Sequence, residues 1–229
     1  MKINGLVVSV NYSAQLAENI ALWRSGMESL TVVTDFKDDM TPEIAWKHGA
    51  IVFRTEAFYA DGAYFNKGRA MENARQILHW FHDDWILLID ADVIPPAAWK
   101  AQLEAANPEP GYLYGCWRYD EHGRRIPDDS HAYGYFQLFH TLDPIAQASP
   151  LIDIDWTHAG NADSSLMLRW RREGKLAPPL PFGVIHPGGP NHNWFGVDKP
   201  ELFNQMQRQR MRLGGGWDSL EPERLRVIS

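Results

Sequence analysis

The sequence predicts an α/β fold, a mostly parallel central sheet flanked by helices, with a smaller second lobe behind it. Three observations predict it. Short apolar runs of strand length alternate with helical patterns through the first ninety or so residues, and that rhythm calls for parallel strands joined by right-handed crossovers. The strongest run, Trp85-Ile86-Leu87-Leu88-Ile89, carries no charge; it is too short for a buried helix and fits a strand covered on both faces. It leads into Asp90-Ala91-Asp92-Val93-Ile94-Pro95-Pro96, where two carboxylates stand one residue apart and the prolines forbid the ladder to continue.

The 229 residues, 45% apolar and 22% charged, suit a soluble globular protein with ample core. No apolar run approaches the roughly 18 residues of a membrane span, and the N-terminus has neither the apolar region nor the cleavage site of a signal peptide. Cys116 is the single cysteine, which excludes an internal disulfide and points to a cytoplasmic location. Residues 1–163 carry 12 Lys and Arg against 23 Asp and Glu, a net of −11, whereas residues 164–229 carry 10 against 6, a net of +4. A basic final third suits an anionic ligand or acceptor, and equally a solvated basic helix face.

In chain order, residues 6–10 are the first buried strand and Asn11-Tyr12-Ser13 its polar exit. Ser13 is a candidate cap for a helix over 14–25, where Leu16, Ile20, Leu22 and Trp23 recur at roughly helical spacing. The second strand spans 29–33 and ends at Thr34-Asp35. Thr41, Pro42 and Glu43-Ile44 read as cap, first position and first turn of a helix over 41–48. The third strand covers 50–53, and a loop rich in Tyr, Phe and Gly covers 57–65. A helix starting near Asn66 runs through Trp80 and puts Asn66, Arg69 and Asn73 on one face. That polar stripe can line a nucleotide site or simply face solvent.

Beyond the central strand, a helix over 97–106 is broken by Asn107-Pro108-Glu109-Pro110-Gly111, the lobe boundary. Strands follow at 112–119 and 134–140, with Asp120-Glu121-His122-Gly123 as a hairpin turn in a polar stretch over 120–132. A helix over 199–213 ends at the glycines of 214–216. The chain therefore divides into a first half, 1–108, a second half, 109–198, and a C-terminal helix and tail, 199–229.

Two carboxylates as close as Asp90 and Asp92 repel each other unless a cation lies between or beside them, which implies Mg²⁺ or Mn²⁺. The plainer alternative is a turn that uses Asp, as turns often do. The apolar strand leading in makes the pair a placed feature and favours the metal. Further on, Asp163 opens a helix carrying Leu166, Leu168, Arg169 and Arg172 and closed by Gly174. The dipole favours a carboxylate there, although as a plain cap it would be structural. Past this helix a strand over 181–185 runs into His186-Pro187-Gly188-Gly189. A His leaving a strand into such a loop can give a nitrogen ligand to a metal held by Asp92, though a lone His is more often structural.

Together these residues resemble the GT-A-fold glycosyltransferases, most closely the inverting family 2 type, over residues 5 to about 190. Val10-Asn11 and Thr34-Asp35 look like the positions that contact the nucleoside. Asn66-Lys67-Gly68-Arg69-Ala70 with Asn73-Ala74 is similar to the family's N-x-G-x-A…N-A helix. Asp90-Ala91-Asp92 matches the DxD signature, which in the family binds the donor diphosphate through a divalent metal. Gly160-Asn161-Ala162-Asp163-Ser164-Ser165-Leu166, with Arg169 and Gly174, resembles the G-G-E-D-x-x-L-x-x-R…G segment, whose Asp is the general base. His186 falls where many such enzymes place a late metal-binding His. Asn161 and Ala162 depart from the pattern; losing the usual Glu removes an acceptor-binding carboxylate and leaves the acceptor class open.

The resemblance implies a metal-dependent enzyme that uses a UDP-, GDP- or dTDP-linked sugar, with Asp163 drawing the proton from an acceptor hydroxyl. Trp156 and His158 are candidate acceptor contacts, and Trp117, Trp194 and His192 are further candidates to line the pocket. The acceptor itself is unspecified, and the basic final third admits a nucleic acid with a modified base. A nucleotidyltransferase is a rival, but Asn11-Tyr12-Ser13-Ala14 lacks the Gly-rich, basic phosphate loop it needs. A non-catalytic sugar- or nucleotide-binding module is another, and intact Asp90, Asp92, Asp163 and His186 argue against it.

Overall fold

The computed structural model describes residues 1–78, 84–127, 130–155 and 162–187. In chain order these form β1 (Ile3–Val8), α1 (Ser13–Ser25), β2 (Ser29–Thr34), α2 (Met40–Lys47), β3 (Ile51–Arg54), a 3₁₀ segment (Ala57–Gly62) and α3 (Lys67–Leu78). There follow β4 (Trp85–Asp90), α4 (Trp99–Ala106), β5 (Trp117–Tyr119), β6 (Gln137–His140), α5 (Ala162–Arg172) and β7 (Gly183–Ile185). The main sheet has the order β3-β2-β1-β4-β6, and β5 pairs with β7 in a second, two-stranded sheet.

β1 lies between β2 and β4, parallel to both, with Val8 opposite Val33 on one side and Asp90 on the other. Strands covered on both faces must be apolar throughout; Leu6, Val7, Ile86, Leu87, Leu88 and Ile89 are all buried. β6 closes the edge antiparallel to β4, with Trp85 opposite His140. On the helical side Trp23 of α1 meets Trp99 of α4 edge-on, ring centroids 5.2 Å apart, and Trp99 Nε1 donates to the Leu22 carbonyl at 3.1 Å. Cys116 is buried, and burial pushes its thiol pKa up, away from reactivity.

The elements follow the expected alternation with local differences, each of which has a cause. β1 starts at Ile3 rather than Leu6 because Ile3 pairs with Trp85, and it stops before Asn11, whose φ of 59° turns the chain. Ser13 does not cap α1; the cap position is Tyr12, with no side-chain cap bond. Thr41 is not the cap of α2 either. The Asp38 carboxylate does that work, taking the Thr41 N–H at 3.0 Å and the Thr41 hydroxyl at 2.6 Å.

The loop over 57–65 contains a 3₁₀ turn, stapled by Phe58 stacked on Phe65 at 4.9 Å. The strand over 112–119 shortens to Trp117–Tyr119, because the Gly115 backbone is pressed against the His131 carbonyl and Leu113 and Tyr114 make only single bridges. The strand over 134–140 likewise shortens to Gln137–His140. The expected end of α3 at residues 79–80 and the helix over 199–213 lie outside the described residues.

Asp38 is the polar keystone beneath the β1 and β2 exits. It also accepts the Asn11 N–H at 2.7 Å and the Thr34 hydroxyl at 3.2 Å. Burial pushes its pKa up, but the hydrogen bonds from Thr41, Asn11 and Thr34 outweigh burial and hold it below the usual carboxylate value. A depressed carboxylate stabilises the fold above its unfolded pKa of about 3.9, and that contribution fades as pH falls through the lower folded value. Asp38→Ala strands buried N–H groups and is expected to cost about 2–4 kcal/mol at pH 7 in urea unfolding. The gap to the parent chain should narrow below about pH 4.

Candidate active site

Since β1, β2 and β4 run parallel, their carboxyl ends open on one edge, and strand order reverses between β1 and β4. Such a switch point leaves a crevice where α/β sheets take their ligands. Asp90-Ala91-Asp92 lies there, and α1 fixes its backbone from behind. Asn19 Nδ2 donates to the Ala91 carbonyl at 2.7 Å and Trp23 Nε1 to the Val93 carbonyl at 2.8 Å, both buried. The prolines end β4, yet Ile94 still pairs with Ile185, its N–H donating to the Ile185 carbonyl at 2.8 Å and its carbonyl accepting the Ile185 N–H at 2.9 Å.

That bridge delivers His186 to Asp92. The His186 N–H donates to the Tyr119 carbonyl at 2.8 Å, and its Nε2 stands 3.2 Å from Asp92 Oδ2. Arg118 Nη1 lies 3.0 Å from His186 Nδ1. A guanidinium can only donate, so Nδ1 accepts and Nε2 carries the proton that Asp92 receives. Arg118 in turn lies over the Tyr135 ring, 5.0 Å from its centroid.

The start of α3 brings Lys67 to the same place. Lys67 Nζ pairs with Asp90 Oδ1. Burial works to lower the lysine pKa, but the charges of Asp90, Asp163 and Asp92 overcome burial and hold it above its ordinary value. Tyr12, leaving β1, faces the same carboxylates. Burial, with Asp92 and then Asp90 adding to it, pushes its hydroxyl up to about 12.

The rest of the α3 stripe is used differently from a ligand-lining face. Asn66 is buried; its Oδ1 caps the helix by accepting the Arg69 N–H at 2.8 Å, and its Nδ2 donates to the Ile154 carbonyl at 2.8 Å. Gly68 lets the helix touch the Asp153 carbonyl, where a Cβ would collide. Arg69 pairs with Asp61 at 2.6 Å on the surface, and Asn73 is half-buried.

Asp163 sits in the first turn of α5, its Oδ2 accepting the Gly134 N–H at 2.9 Å. Gln137 Nε2 locks the two segments together by donating to the Asp163 carbonyl at 2.8 Å and the Ala132 carbonyl at 2.9 Å. A Cβ on Gly134 would lie 2.7 Å from Asp163 Oδ2; only glycine admits the carboxylate so close.

At the exits of β1 and β2 Val10 and Asp35 are buried, and Asp35 Oδ1 accepts the Lys37 N–H. Arg54 holds this turn by donating to the carbonyls of Phe36 and Asp38, both at 3.0 Å, and to the Asp39 carboxylate at 2.8 Å. Burial, then Asp35 and Asp38, raise the pKa of the neighbouring Tyr59. Trp117 has one ring face covered by Arg125, 3.4 Å from its centroid. Trp156, His158, Asn161, His192 and Trp194 lie outside the described residues.

Two carboxylates and an imidazole suit a divalent ion such as Mn²⁺ or Mg²⁺ in chemistry. Asp92 and His186 already stand side by side, while Asp90 is engaged by Lys67. Among the described residues no three His, Cys, Asp or Glu side chains converge as a ready-made metal set. Sequence reasoning missed Tyr12, Asn19, Arg118, Gly134 and Gln137. Asn19 had a signal: it shares the buried stripe of α1 with Leu16, Ile20 and Trp23. The others depend on tertiary approach.

The fold, a mostly parallel α/β sheet flanked by helices, is shared with several solved synthases. Glucosyl-3-phosphoglycerate synthase of Mycobacterium tuberculosis superposes with a TM-score of 0.60 at 15% identity, covering 93% of this chain and 81% of that one. A structure of the same synthase with Mg²⁺ and uridine diphosphate gives 0.60 at 16% identity, covering 93% and 80%. Mannosyl-3-phosphoglycerate synthase of Rubrobacter xylanophilus gives 0.57 at 16%, covering 93% and 72%. No protein-family profile and no curated protein sequence matches the chain. No helix among the described residues is long and apolar enough to cross a membrane.

The Gly134–Asp163 approach makes a testable pair. Gly134→Ala is expected to cost about 1–3 kcal/mol in urea unfolding, by overpacking against the carboxylate. Adding Asp163→Ala removes the contacts to Oδ2 and Cγ but keeps the Asp163 Cβ 2.9 Å from the new methyl, so it should recover only part of that loss, with a coupling of about 0.5–3 kcal/mol in a double-mutant cycle.

Proposed function

We propose that the chain is a metal-dependent glycosyltransferase that moves a sugar from a nucleotide-sugar donor to an acceptor hydroxyl, with inversion. The observation that carries this reading is the Lys67–Asp90 ion pair beside the Asp92–His186 pair at the switch point of the parallel sheet, with the charge of Asp163 also acting on Lys67. Asp90, Asp92 and His186 would hold Mn²⁺ or Mg²⁺. A divalent ion bound there would offset the negative charge that develops on the departing diphosphate. Lys67 supplies a fixed positive charge at the same end of the donor.

Val10, Asn11 and Asp35 form the nucleoside end, and Ala91 presents backbone to the diphosphate end. Asn66, Gly68, Arg69 and Asn73 serve the donor through the placement of the α3 start rather than as a row of contacts. Asp163 takes the proton of the acceptor hydroxyl as that oxygen attacks the anomeric carbon on the face opposite the leaving group. The Gly134 N–H steadies one carboxylate oxygen and leaves the other for the acceptor.

The same similarity suggests a uridine diphosphate donor, because structures of the mycobacterial synthase contain uridine diphosphate with Mn²⁺ or Mg²⁺. Small phosphorylated hydroxy compounds head the acceptor screen, since that synthase is also described with phosphoglyceric acid and with glycerol 3-phosphate. Residues 1–108 would then hold the donor and 109–198 the acceptor, with Trp156 and His158 as acceptor candidates. No observation favours a nucleic-acid acceptor, a nucleotidyltransferase or a non-catalytic binding module.

Thermal stability against UDP-, GDP- and dTDP-sugars, with Mn²⁺, Mg²⁺ or EDTA, tests the donor site. A nucleotide at about a hundred times its dissociation constant should add about 2.7 kcal/mol, only with metal, and Asp92→Ala should abolish the gain. No shift under any condition would overturn the reading. Once an acceptor is found, Asp163→Asn should lower kcat by about 10²–10⁴-fold with donor affinity nearly unchanged.

A further inference from the structure

We propose that Lys67 is the built-in counter-cation of the Asp90/Asp92 pair, and that it makes the divalent ion and the nucleotide diphosphate bind as partners rather than independently. The inference rests on the donor-site reading above and deepens it. Asp90 and Asp92 are each answered by a protein side chain, Lys67 Nζ on Asp90 Oδ1 and the His186 Nε2–H on Asp92 Oδ2 at 3.2 Å, while Asp163 takes the Gly134 N–H. Lys67 is part-buried, so its charge is poorly screened by water and acts strongly on what lies beside it. Each expected metal ligand is thus already engaged.

The consequences differ for the two ligands taken singly and together. A divalent ion arriving alone must take Asp90 from the ammonium and then sit beside that ammonium, like charge against like. A diphosphate arriving alone meets the charge of Asp90, Asp92 and Asp163 with Lys67 already paired. When both arrive, Asp90 passes from the ammonium to the metal while the ammonium passes from Asp90 to a phosphate oxygen. Both are ion-pair exchanges; for His186 to join the ligand set its Nε2 proton must move to Nδ1, with Arg118 releasing that nitrogen. Lys67 therefore hinders the metal by itself and helps it once the diphosphate is present, so the sign of its effect reverses. A lysine that merely lowered the local negative charge would weaken metal binding in both cases.

Mn²⁺ binding, measured from the paramagnetic resonance of the free ion with and without saturating uridine diphosphate, reads this directly on the full chain. In the parent protein the nucleotide should tighten Mn²⁺ by about tenfold or more, and by linkage Mn²⁺ should tighten the nucleotide equally. Lys67→Gln should bind Mn²⁺ alone about fivefold tighter than the parent and Mn²⁺ with nucleotide more weakly, so that the mutual tightening collapses. Lys67→Arg keeps the charge and should retain the coupling in direction, while Lys100→Gln, on the far helix α4, should change neither value. A thermal scan shows the same reversal: Mn²⁺ alone should stabilise Lys67→Gln more than the parent.

Parent protein that binds Mn²⁺ equally well with and without nucleotide overturns the proposal without any variant. So does Lys67→Gln that binds Mn²⁺ alone no tighter than the parent, or that keeps the full coupling; in both cases the donor-site reading stands. A parent chain that binds neither Mn²⁺ nor any nucleotide, with Asp92→Ala no different, removes the donor-site reading and this proposal with it.

Discussion

Like charge gathered at one place is the constraint on which the rest of this structure turns. Parallel pairing of β1 with β2 and β4 sends three strand exits to one edge, and acidic groups follow two of them directly. Asp163 reaches the same region from α5, close enough for its charge to act on Lys67. Such an arrangement is costly unless each carboxylate is answered. The chain answers them with an ammonium, an imidazole N–H and a backbone amide, one from α3, one from the end of β7 and one from the segment before β6. Elements from far apart in sequence are thus held to the edge by the charges they compensate.

The same logic runs one layer further out. Asn19 and Trp23 have no charge to neutralise, yet both spend their donors on carbonyls of the Asp90–Val93 turn. A turn leaving a buried strand carries carbonyls that must find partners, and α1 provides them from its buried face. Arg118 does for His186 what these do for the turn, fixing the ring by its second nitrogen.

Much of this was legible before any coordinates. The β1, β2 and β4 runs are continuous apolar stretches, and continuous burial leaves an unmistakable trace in a chain. The paired Asp90 and Asp92, the late His186 and the helix-opening Asp163 could be picked out because each stands at the end or start of an element. What could not be read was how polar side chains divide their labour. Asn66 and Arg69 share one face of the expected helix and Gly68 stands between them, yet Asn66 caps the helix, Gly68 makes room for a carbonyl and Arg69 meets a surface partner. Asp35 and Asp38 look alike in sequence, but Asp38 is the one bound by four donors. β5 and β7, three residues each, fall within the strands expected over 112–119 and 181–185, but nothing in the sequence shows that they leave the main sheet to pair with each other.

The Ile94–Ile185 bridge has a bearing on how this molecule comes into being. The β1–β2–β3 part of the sheet closes over short stretches of chain, whereas Asp92 and His186 are separated by 94 positions. Closing so long a loop adds little to the equilibrium cost, but contacts of that span are formed late, after the local structure that shortens the search. A folding chain can therefore pair β1 with β2 and β4 and bury Trp23, Trp85 and Trp99 while the two sides of the crevice are still apart. The crevice thus depends on a pairing of long span, and a lesion in β5 or β7 would fall on the join between Asp92 and His186 rather than on the main sheet.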